Sequence, residues 1–199
     1  MKCSFCDANA QYRDGHTGEY VCLAHSRLQV SAQGGREQAE PLTVRSALST
    51  DRDRIAELAV YFWDETEVEC FGHAYDVREL PAFVACKGDG RDEIVGLTSY
   101  AIEGDAVNVV MLNVLPGYQG SGAGRTLIAA AEGAARAHGA TRIVVATSND
   151  DLPALYLYQR RGFHLTGMEV GRLAKHHGGE EPGFAGIPVR DEIQLEKRL

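Results

Sequence analysis

A glycine-rich turn at residues 114–125 constrains the fold more than any other part of this chain. Residues 107–115 before it are apolar apart from two asparagines, which predicts a buried strand. Residues 126–138 after it carry apolar side chains at helical spacing and end at Gly139, which predicts a helix. The start of such a helix favours an anion, and glycines let a phosphate approach the backbone. A purely steric glycine turn gives the same pattern, so the spacing leaves both interpretations open.

Two well-known phosphate motifs do not fit this turn. A Walker loop needs a lysine after its last glycine, and no lysine follows these glycines. A dinucleotide fingerprint lies at the first strand of its domain, whereas these glycines follow Gln119 and come after the middle of the chain. Neither a P-loop nucleotide site nor a dinucleotide site is therefore expected.

The run Gln119-Gly120-Ser121-Gly122-Ala123-Gly124, after a Val-x-Pro, resembles the acetyl-CoA loop of the GNAT acetyltransferases. The resemblance continues through a second strand at residues 141–147, an asparagine at Asn149, and a helix that ends in Tyr158 and Gly162-Phe163. It extends over about residues 42–199 and is strongest between 107 and 163. It implies an α/β fold, the mixed-sheet GNAT acyl-CoA N-acyltransferase fold, with acetyl-CoA as cosubstrate.

The same resemblance implies a set of cofactor-binding residues. The pantetheine arm would pair with backbone groups of one strand, and the pyrophosphate would lie on the N–H groups of the glycine loop. The residues implied are Leu112, Val114, Gln119, Gly120, Ser121, Gly122, Ala123, Gly124, Arg125 and Asn149. Asn149 has a second interpretation, as a turn residue at the start of a helix.

Two residues are candidates for catalysis. By resemblance, Tyr158 would protonate the departing thiolate, although an aromatic residue on a helix beside a sheet can equally be packing, as we expect for Tyr156. Many family members carry a glutamate on the strand before the glycine loop, but residues 108–113 contain no carboxylate. Deprotonation through water or by Glu192 of the last strand remains open; Glu192 could also be a charge on a solvent-exposed face.

The acidic run Glu65, Glu67 and Glu69 lies where the acceptor loop of the family usually falls. These carboxylates could attract a cation, or they could simply be a solvated face. Acceptors compatible with the family include a small polyamine-like or aminoglycoside-like amine, or the lysine or N-terminus of a protein. Longer acyl-CoA donors remain open as well.

Cysteines at the start of the chain predict a structural zinc site. Cys3 and Cys6 form one pair and Cys22 and His25 another, with 15 residues between the pairs. Two such pairs supply the four ligands of a closed tetrahedral site, and short strands are expected between them. The segment resembles the zinc-ribbon modules found at the front of various nucleotide- and RNA-modifying enzymes. The alternative is a tail with scattered buried thiols.

Net charge and hydropathy limit the partners and the location that are expected for this chain. The chain has 199 residues, a formal charge of −8 and no basic stripe, which argues against nucleic acid as a partner except through the zinc module. No apolar run is long enough for a membrane span, and no signal peptide is evident, so we expect a cytoplasmic protein. Cys86 is expected to be a buried, inert thiol, and Cys70 has no evident base nearby that would make it a nucleophile.

The predicted organisation is a zinc-ribbon-like module at residues 1–30, a linker at 31–41 and an acetyltransferase domain at 42–199. The acetyltransferase domain should begin with a strand at 42–48 and a helix through Trp63. A short acidic helix or loop is expected at 64–75, a loop at 172–186 and a final strand at 188–196.

The predicted function is acetyl transfer from acetyl-CoA to a primary amine, by a monomer or homodimer. The alternative is a non-catalytic acyl-CoA sensor whose zinc ribbon binds RNA or a protein.

Overall fold

The structure is a computed structural model that describes residues 12–13, 20–21, 42–88 and 93–199, the first two pairs by their backbone only. The strands in these ranges are β1 (Tyr12–Arg13), β2 (Tyr20–Val21), β3 (Leu42–Ser46), β4 (Glu67–Cys70), β5 (His73–Asp76), β6 (Ala82–Lys87), β7 (Ile94–Glu103), β8 (Ala106–Val114), β9 (Arg142–Ser148), β10 (His164–Glu169), β11 (Glu181–Pro182), β12 (Pro188–Val189) and β13 (Glu192–Arg198). The helices are α1 (Arg52–Trp63), α2 (Ala123–Ala137), α3 (Leu152–Arg160) and α4 (Arg172–His177), with short 3-10 turns at Ser49–Asp51, Pro116–Tyr118 and Phe184–Gly186.

The chain forms two compact units. The larger unit comprises Arg36–Ala146 and Glu196–Leu199, and the smaller unit comprises Met1–Gly35 and Thr147–Leu195. The β1–β2 hairpin, in which Tyr12 pairs with Val21, belongs to the smaller unit and agrees with the two short strands expected there. Cys3, Cys6, Cys22 and His25, the predicted zinc ligands, lie outside the described residues.

The larger unit contains a mixed sheet with the strand order β9-β8-β7-β6-β3. Neighbours are antiparallel from β3 to β8, whereas β8 and β9 are parallel. Parallel neighbours need a crossover connection, and α2 supplies it between β8 and β9. The mixed α/β architecture predicted from the sequence is confirmed.

Helices α1 and α2 cover opposite faces of this sheet. Ile55 and Leu58 of α1 belong to a buried cluster that includes Val84 of β6. Leu127 of α2 belongs to a second cluster that includes Ala85, the next residue of the same strand. Because successive strand residues point to opposite faces, the two clusters lie on the two sides of the sheet. The sheet is therefore covered by a helix on each face.

None of the helices in the described part of the chain is both long and apolar enough to cross a bilayer. The longest, α2, has 15 residues, and its buried side is lined by small and aliphatic residues together with Glu132. Its opposite side is exposed to water at Arg125 and Arg136. This two-sided composition is that of a helix packed on a sheet.

The acidic segment after α1 forms a hairpin, so the prediction of a short helix or loop there is wrong. In β4, Val68 and Cys70 are buried while Glu67 and Glu69 are exposed, which is the two-residue alternation of a strand. The turn between β4 and β5 consists of Phe71 and Gly72, both with positive φ, 53° and 78°. Two consecutive residues of this kind form a tight turn whose twist matches that of a hairpin.

The C-terminal part of the smaller unit has more regular structure than the sequence indicated. The segment expected as a loop at 172–186 contains α4, β11 and the 3-10 turn Phe184–Gly186. The expected single strand at 188–196 is two strands, because β12 pairs with β11 and β13 begins only at Glu192. Asp191 separates them, since its carboxylate accepts the N–H of Gly171 at 2.8 Å and fixes the chain there.

Candidate active site

The glycine turn follows β8 through a short 3-10 turn. Tyr118 N–H donates to the Leu115 carbonyl at 2.8 Å, and the Ser121 hydroxyl donates to the Tyr118 carbonyl at 2.6 Å. Gly122 has φ 93°, a conformation that L side chains rarely adopt, and α2 begins immediately after it. The helix thus begins three residues earlier than the alanine pattern indicated. The turn is held by its own hydrogen bonds and presents its glycines at the start of α2.

Free backbone donors gather at this helix start. Among the residues that the structure describes, the N–H groups of Gly120, Gly122, Gly124 and Arg125 have no protein acceptor. The first helical bond from this turn is donated by Thr126 to the Gly122 carbonyl at 3.0 Å. A Cβ at Gly122 would meet only the Arg125 guanidinium, at 3.8 Å, so the space above the turn is open. Unpaired donors, the helix dipole and open space together form a site for an anion such as a phosphate.

The strand that leads into the turn has an open edge. The β8–β9 pairing joins residues 106–109 to residues 142–145, and no further pair is found in the described part of the larger unit. Leu115 N–H donates to Val95 of β7, so by the alternation of an antiparallel ladder the N–H and C=O groups of Leu112 and Val114 point away from β7. The Gln119 side-chain amide donates to the Val114 carbonyl at 3.1 Å. Leu112 and Val114 therefore present backbone groups that an extended ligand can pair with.

Two local features shape this end of β8. The β7–β8 register shifts between Ser99 and Tyr100, which leaves Val110 of β8 without a partner and makes a bulge there. A Cβ at Gly96 would lie 2.9 Å from the Asn113 carbonyl oxygen, so only glycine permits the close approach of β7 here. The geometry of the open edge therefore depends on β7 as well as on the turn.

An indole lies beside the same strand. The Trp63 Nε1–H at the end of α1 donates to Asn113 Oδ1 at 3.0 Å, and 45% of the Trp63 surface is exposed. In the sequence, Trp63 stands out only as the end of a helix and Asn113 only as a polar break in an apolar run. The pairing of a tryptophan at a helix end with an asparagine in a strand can be found only once the two elements are packed.

The acidic residues after α1 are solvent-exposed. Glu65 precedes β4, while Glu67 and Glu69 point outward from β4. On the covered side, the Tyr75 hydroxyl donates to Glu103 Oε1, and Asn108 donates to Glu103 Oε2 at 2.9 Å. Burial, followed by the bond to the Glu103 carboxylate, raises the pKa of the Tyr75 phenol to about 12. The hairpin is thus pinned to β7 and β8 while its carboxylates remain in water.

In the smaller unit, Tyr158 lies on the inner side of α3. It is 5% exposed, and its ring is tilted against that of Phe163 at a centroid distance of 5.6 Å. Burial, with a smaller contribution from the Asp151 carboxylate, raises the pKa of its phenol. Its hydroxyl has no hydrogen-bond partner among the described residues. The phenol therefore keeps its proton at neutral pH and has that proton available for a ligand.

The two tyrosines of α3 differ in exposure, since Tyr158 is buried and Tyr156 is exposed. Tyr156, which the sequence analysis assigned to packing, is 63% exposed, so that assignment is wrong. The reason is helical geometry, because residues two apart point to nearly opposite sides of a helix. Gly162, with φ 86°, turns the chain after α3, and Phe163 is buried.

Asn149 is held by the segment that precedes β13. Its Oδ1 accepts the N–H groups of Arg190 and Asp191, both at 2.9 Å, and its Nδ2 donates to the Pro188 carbonyl at 2.9 Å. One Nδ2 hydrogen remains for a further contact. Asn149 is thus a structural residue of the loop, and a contact with the cofactor stays a prediction.

Glu192 is buried inside the smaller unit, so the interpretation as a charge on a solvent-exposed face is wrong. Its Oε2 lies 3.0 Å from Arg172 Nε, and its Oε1 accepts from Gln194 at 2.8 Å. Both oxygens are therefore engaged, and the side chain is 3% exposed. Such an arrangement suits a residue that holds α4 to the last strand.

The described cysteines and acids offer no metal site. Cys70 and Cys86 are buried and form no disulfide, and the burial of Cys86 was expected. Within residues 42–88 and 93–199, no group of three His, Cys, Asp or Glu side chains is placed to hold a metal ion.

The family follows from a comparison of the whole sequence with family models. Residues 47–163 match the model of the acetyltransferase (GNAT) family. The chain belongs to the GNAT family. The match includes α1, the open edge of β8, the glycine turn and α3 with Tyr158 and Phe163; of the candidate site residues, Glu192 lies outside it.

Relatives and solved structures agree with this family. An uncharacterized protein of Bacillus subtilis, YxbD, is 30% identical over 74% of this chain and 93% of its own length. Streptothricin acetyltransferase of Streptomyces lavendulae is 28% identical over 63% of this chain and 82% of its own. A Bacillus subtilis acetyltransferase in complex with CoA has the same fold, with a TM-score of 0.61, 20% identity and coverage of 80% of this chain and 99% of its own.

These findings confirm the enzyme class predicted from the sequence, an acetyl-CoA-dependent acetyltransferase of the GNAT family. The alternative, a non-catalytic sensor with a zinc ribbon, finds no support in them. The GNAT turn, with its free N–H groups, and the open edge of β8 both lie in the larger unit, whereas Tyr158, Asn149 and Glu192 belong to the smaller unit.

Proposed function

We propose that this GNAT protein transfers the acetyl group of acetyl-CoA to a primary amine of a small molecule or protein. The observation that carries the proposal is the set of free N–H groups at Gly120, Gly122, Gly124 and Arg125, directly after a strand with an open edge. The streptothricin acetyltransferase named above favours a small amine as acceptor, since its name describes transfer to such a molecule.

The residues present fit the cosubstrate. The free donors of the glycine turn, from Gln119 to Arg125, would hold the pyrophosphate, and the exposed Arg125 side chain would add positive charge. Backbone groups of Leu112 and Val114 would pair with the amides of the pantetheine arm, and Asn149 could donate its remaining hydrogen. Acetyl-CoA supplies the activated thioester. Fixing that group beside the acceptor can lower the barrier by several kcal/mol, about 7 in good cases.

The reaction exchanges one bond for another and moves one proton. A bond forms between the amine nitrogen and the acetyl carbon, the bond from that carbon to sulfur breaks, one proton leaves the nitrogen and one arrives on the sulfur. Tyr158 is the proposed donor to the sulfur, because its buried phenol is protonated and its hydroxyl is unpaired among the described residues. A phenol bound in this way stabilises negative charge on the leaving group.

The proton of the amine requires an acceptor. Glu192 was the candidate from the sequence, but its two oxygens are engaged by Arg172 and Gln194. Residues 108–113 supply no carboxylate. We therefore propose that water removes this proton and that Glu192 acts as a positioning residue for the last strand.

A structural zinc ion at the N-terminus stays part of the proposal, separate from the reaction. The β1–β2 pairing lies between the two proposed ligand pairs, which is the place of the hairpin in a zinc-ribbon-like module. Cys3, Cys6, Cys22 and His25 would hold the ion through thiolate and imidazole ligands.

Calorimetry with acetyl-CoA tests the proposed cofactor site. Gly122→Val should abolish binding, because its side chain would occupy the phosphate site and strain a backbone with φ 93°. Gly133→Val is the matched control, since Gly133 lies on the exposed side of the same helix with nothing within 4 Å of an added Cβ. Unchanged binding in Gly122→Val, with the fold verified by circular dichroism, would contradict the assignment.

The acceptor is tested separately by mass spectrometry. The protein is incubated with acetyl-CoA and a broad library of amines and peptides, and products heavier by one acetyl group are sought. The control is the Gly122→Val variant, which should give none. Binding of acetyl-CoA without any acetylated amine would contradict amine transfer while leaving the cofactor site in place.

A further inference from the structure

Trp63 is fixed in orientation and yet exposed. It is the single tryptophan of the chain. Its Nε1–H is bound to Asn113 Oδ1 at 3.0 Å, while 45% of its surface meets water. An indole has more apolar area to bury than any other side chain, so a fixed and half-exposed indole forgoes much of the usual gain from packing. The exposed part of the ring is available to contact a ligand.

The position of Trp63 links it to the proposed reaction. Its partner Asn113 lies between Leu112 and Val114, the two residues whose backbone groups point into the open edge of β8. A thioester held along these two residues would therefore lie next to the strand position that fixes the indole. An acceptor that reaches the thioester from the α1 face of the sheet meets Trp63.

Two exposed carboxylates follow Trp63 closely in the sequence and favour cations. Asp64 follows it directly and Glu67 opens β4; both are exposed, and neither has an ion-pair partner within the described residues. Amines are protonated at neutral pH, and an ammonium group is attracted to the face of an indole. The formal charge of −8 for the chain adds a negative potential, which also attracts cations.

We propose that Trp63, with Asp64 and Glu67, binds a second ammonium group of the acceptor, so that the substrate class is a diamine or polyamine. This inference rests on the proposed function, because it concerns the acceptor of the same transfer. One amine loses its proton and is acetylated, while the other stays charged against the indole. A monoamine with a neutral tail lacks this second contact.

Matched acceptors test the proposal by steady-state kinetics. The probes are 1,5-diaminopentane and 5-aminopentan-1-ol, which have the same length and differ in the charge at one end. The wild-type KM for the diamine should be lower by a factor between about 3 and 30, the range of a cation–π contact. Trp63→Leu should remove this difference. Tyr61→Leu should keep it, since Tyr61 is exposed on another side of α1.

The fluorescence of Trp63 gives a second readout that does not need turnover. Titration with 1,5-diaminopentane should change the emission saturably, whereas the amino alcohol should have no effect at the same concentrations. Equal KM values for the two probes, or a difference that survives in Trp63→Leu, would overturn the inference and leave the proposed function standing. If neither probe is acetylated, amine transfer to such acceptors fails, and the fluorescence titration alone decides whether Trp63 binds the cation.

Discussion

Tyr158 shows how burial sets the chemistry of a single side chain. Its pKa is raised mainly because the buried phenolate would lose its hydration, and in part because the Asp151 carboxylate disfavours a second negative charge. Because its pKa is raised, this phenol is a weaker acid than an ordinary tyrosine, but it is fully protonated at neutral pH. Its contribution is therefore a hydrogen bond to the leaving sulfur that strengthens as the charge develops.

Tyr158→Phe separates this role from packing. The phenylalanine keeps the ring against Phe163 and leaves no buried partner unsatisfied, because the hydroxyl has none among the described residues. Melting temperature and acetyl-CoA affinity should be unchanged or slightly raised, while kcat should fall by roughly 100-fold or more. The measurements are thermal melts, calorimetry and steady-state rates with an identified acceptor.

Tyr156→Phe is the matched control two residues away. Tyr156 is largely exposed, so this change should affect neither stability nor turnover. Equal activity of the two variants would show that another group or water protonates the thiolate. A loss of stability in Tyr158→Phe alone would indicate that the hydroxyl supports the fold.

At the scale of elements, helices and strands could be predicted wherever the hydrophobic periodicity agreed with the residues that end such elements. The strand expected at residues 42–48 is β3 (Leu42–Ser46), the helix expected to run through Trp63 ends there, and Gly139, with φ 76°, follows the end of α2 as predicted. The hairpin β4–β5 was missed although Glu67–Cys70 alternates, because four residues are too few to outweigh an acidic composition. Its turn contains Phe71 with positive φ, which no propensity scale indicates.

The segment between β10 and β13 could not be predicted because buried carboxylates organise it. Asp150 accepts the Phe184 N–H at 2.8 Å, Asp191 accepts that of Gly171, and Glu192 pairs with Arg172. The backbone bond from Gly171 lowers the pKa of the Asp191 carboxyl. In the sequence these acids resemble ordinary surface charges, and only their tertiary partners reveal the role.

Gly183→Ala tests this organisation. An added Cβ would lie 2.3 Å from Asp150 Oδ2 and 2.5 Å from the Ile187 carbonyl oxygen, so the turn must move. We expect a loss of stability of about 1–3 kcal/mol, measured by chemical denaturation. Gly179→Ala is the control in the same segment, since nothing lies within 4 Å of its added Cβ. Equal stability of the two variants would mean that Asp150 does not fix the turn at this position.

For the whole molecule, the sequence predicted the catalytic class because the GNAT motifs are local. The glycine turn and the Tyr158 to Phe163 segment are each contiguous, and a contiguous motif can be recognised without a structure. Contacts between distant residues could not be predicted, which is why Trp63 with Asn113, 50 positions apart, was missed. The same reason applies to Glu192, whose burial depends on Arg172.

The zinc prediction concerns the chain before residue 42. We expect one zinc ion per chain in protein purified without chelator, because two thiolate-rich pairs separated by a hairpin supply a complete tetrahedral set. Cys22→Ala should lose the metal, and Cys70→Ala should retain it, since Cys70 is buried in β4 and belongs to no metal cluster among the described residues. Elemental analysis and native mass spectrometry measure the ratio of zinc to protein.

Chelation should leave acetyl-CoA binding intact, because the glycine turn and the open edge of β8 contain no metal ligand. Protein without zinc, or zinc retained in Cys22→Ala, would contradict the proposed site and leave the first residues as a segment with ordinary thiols.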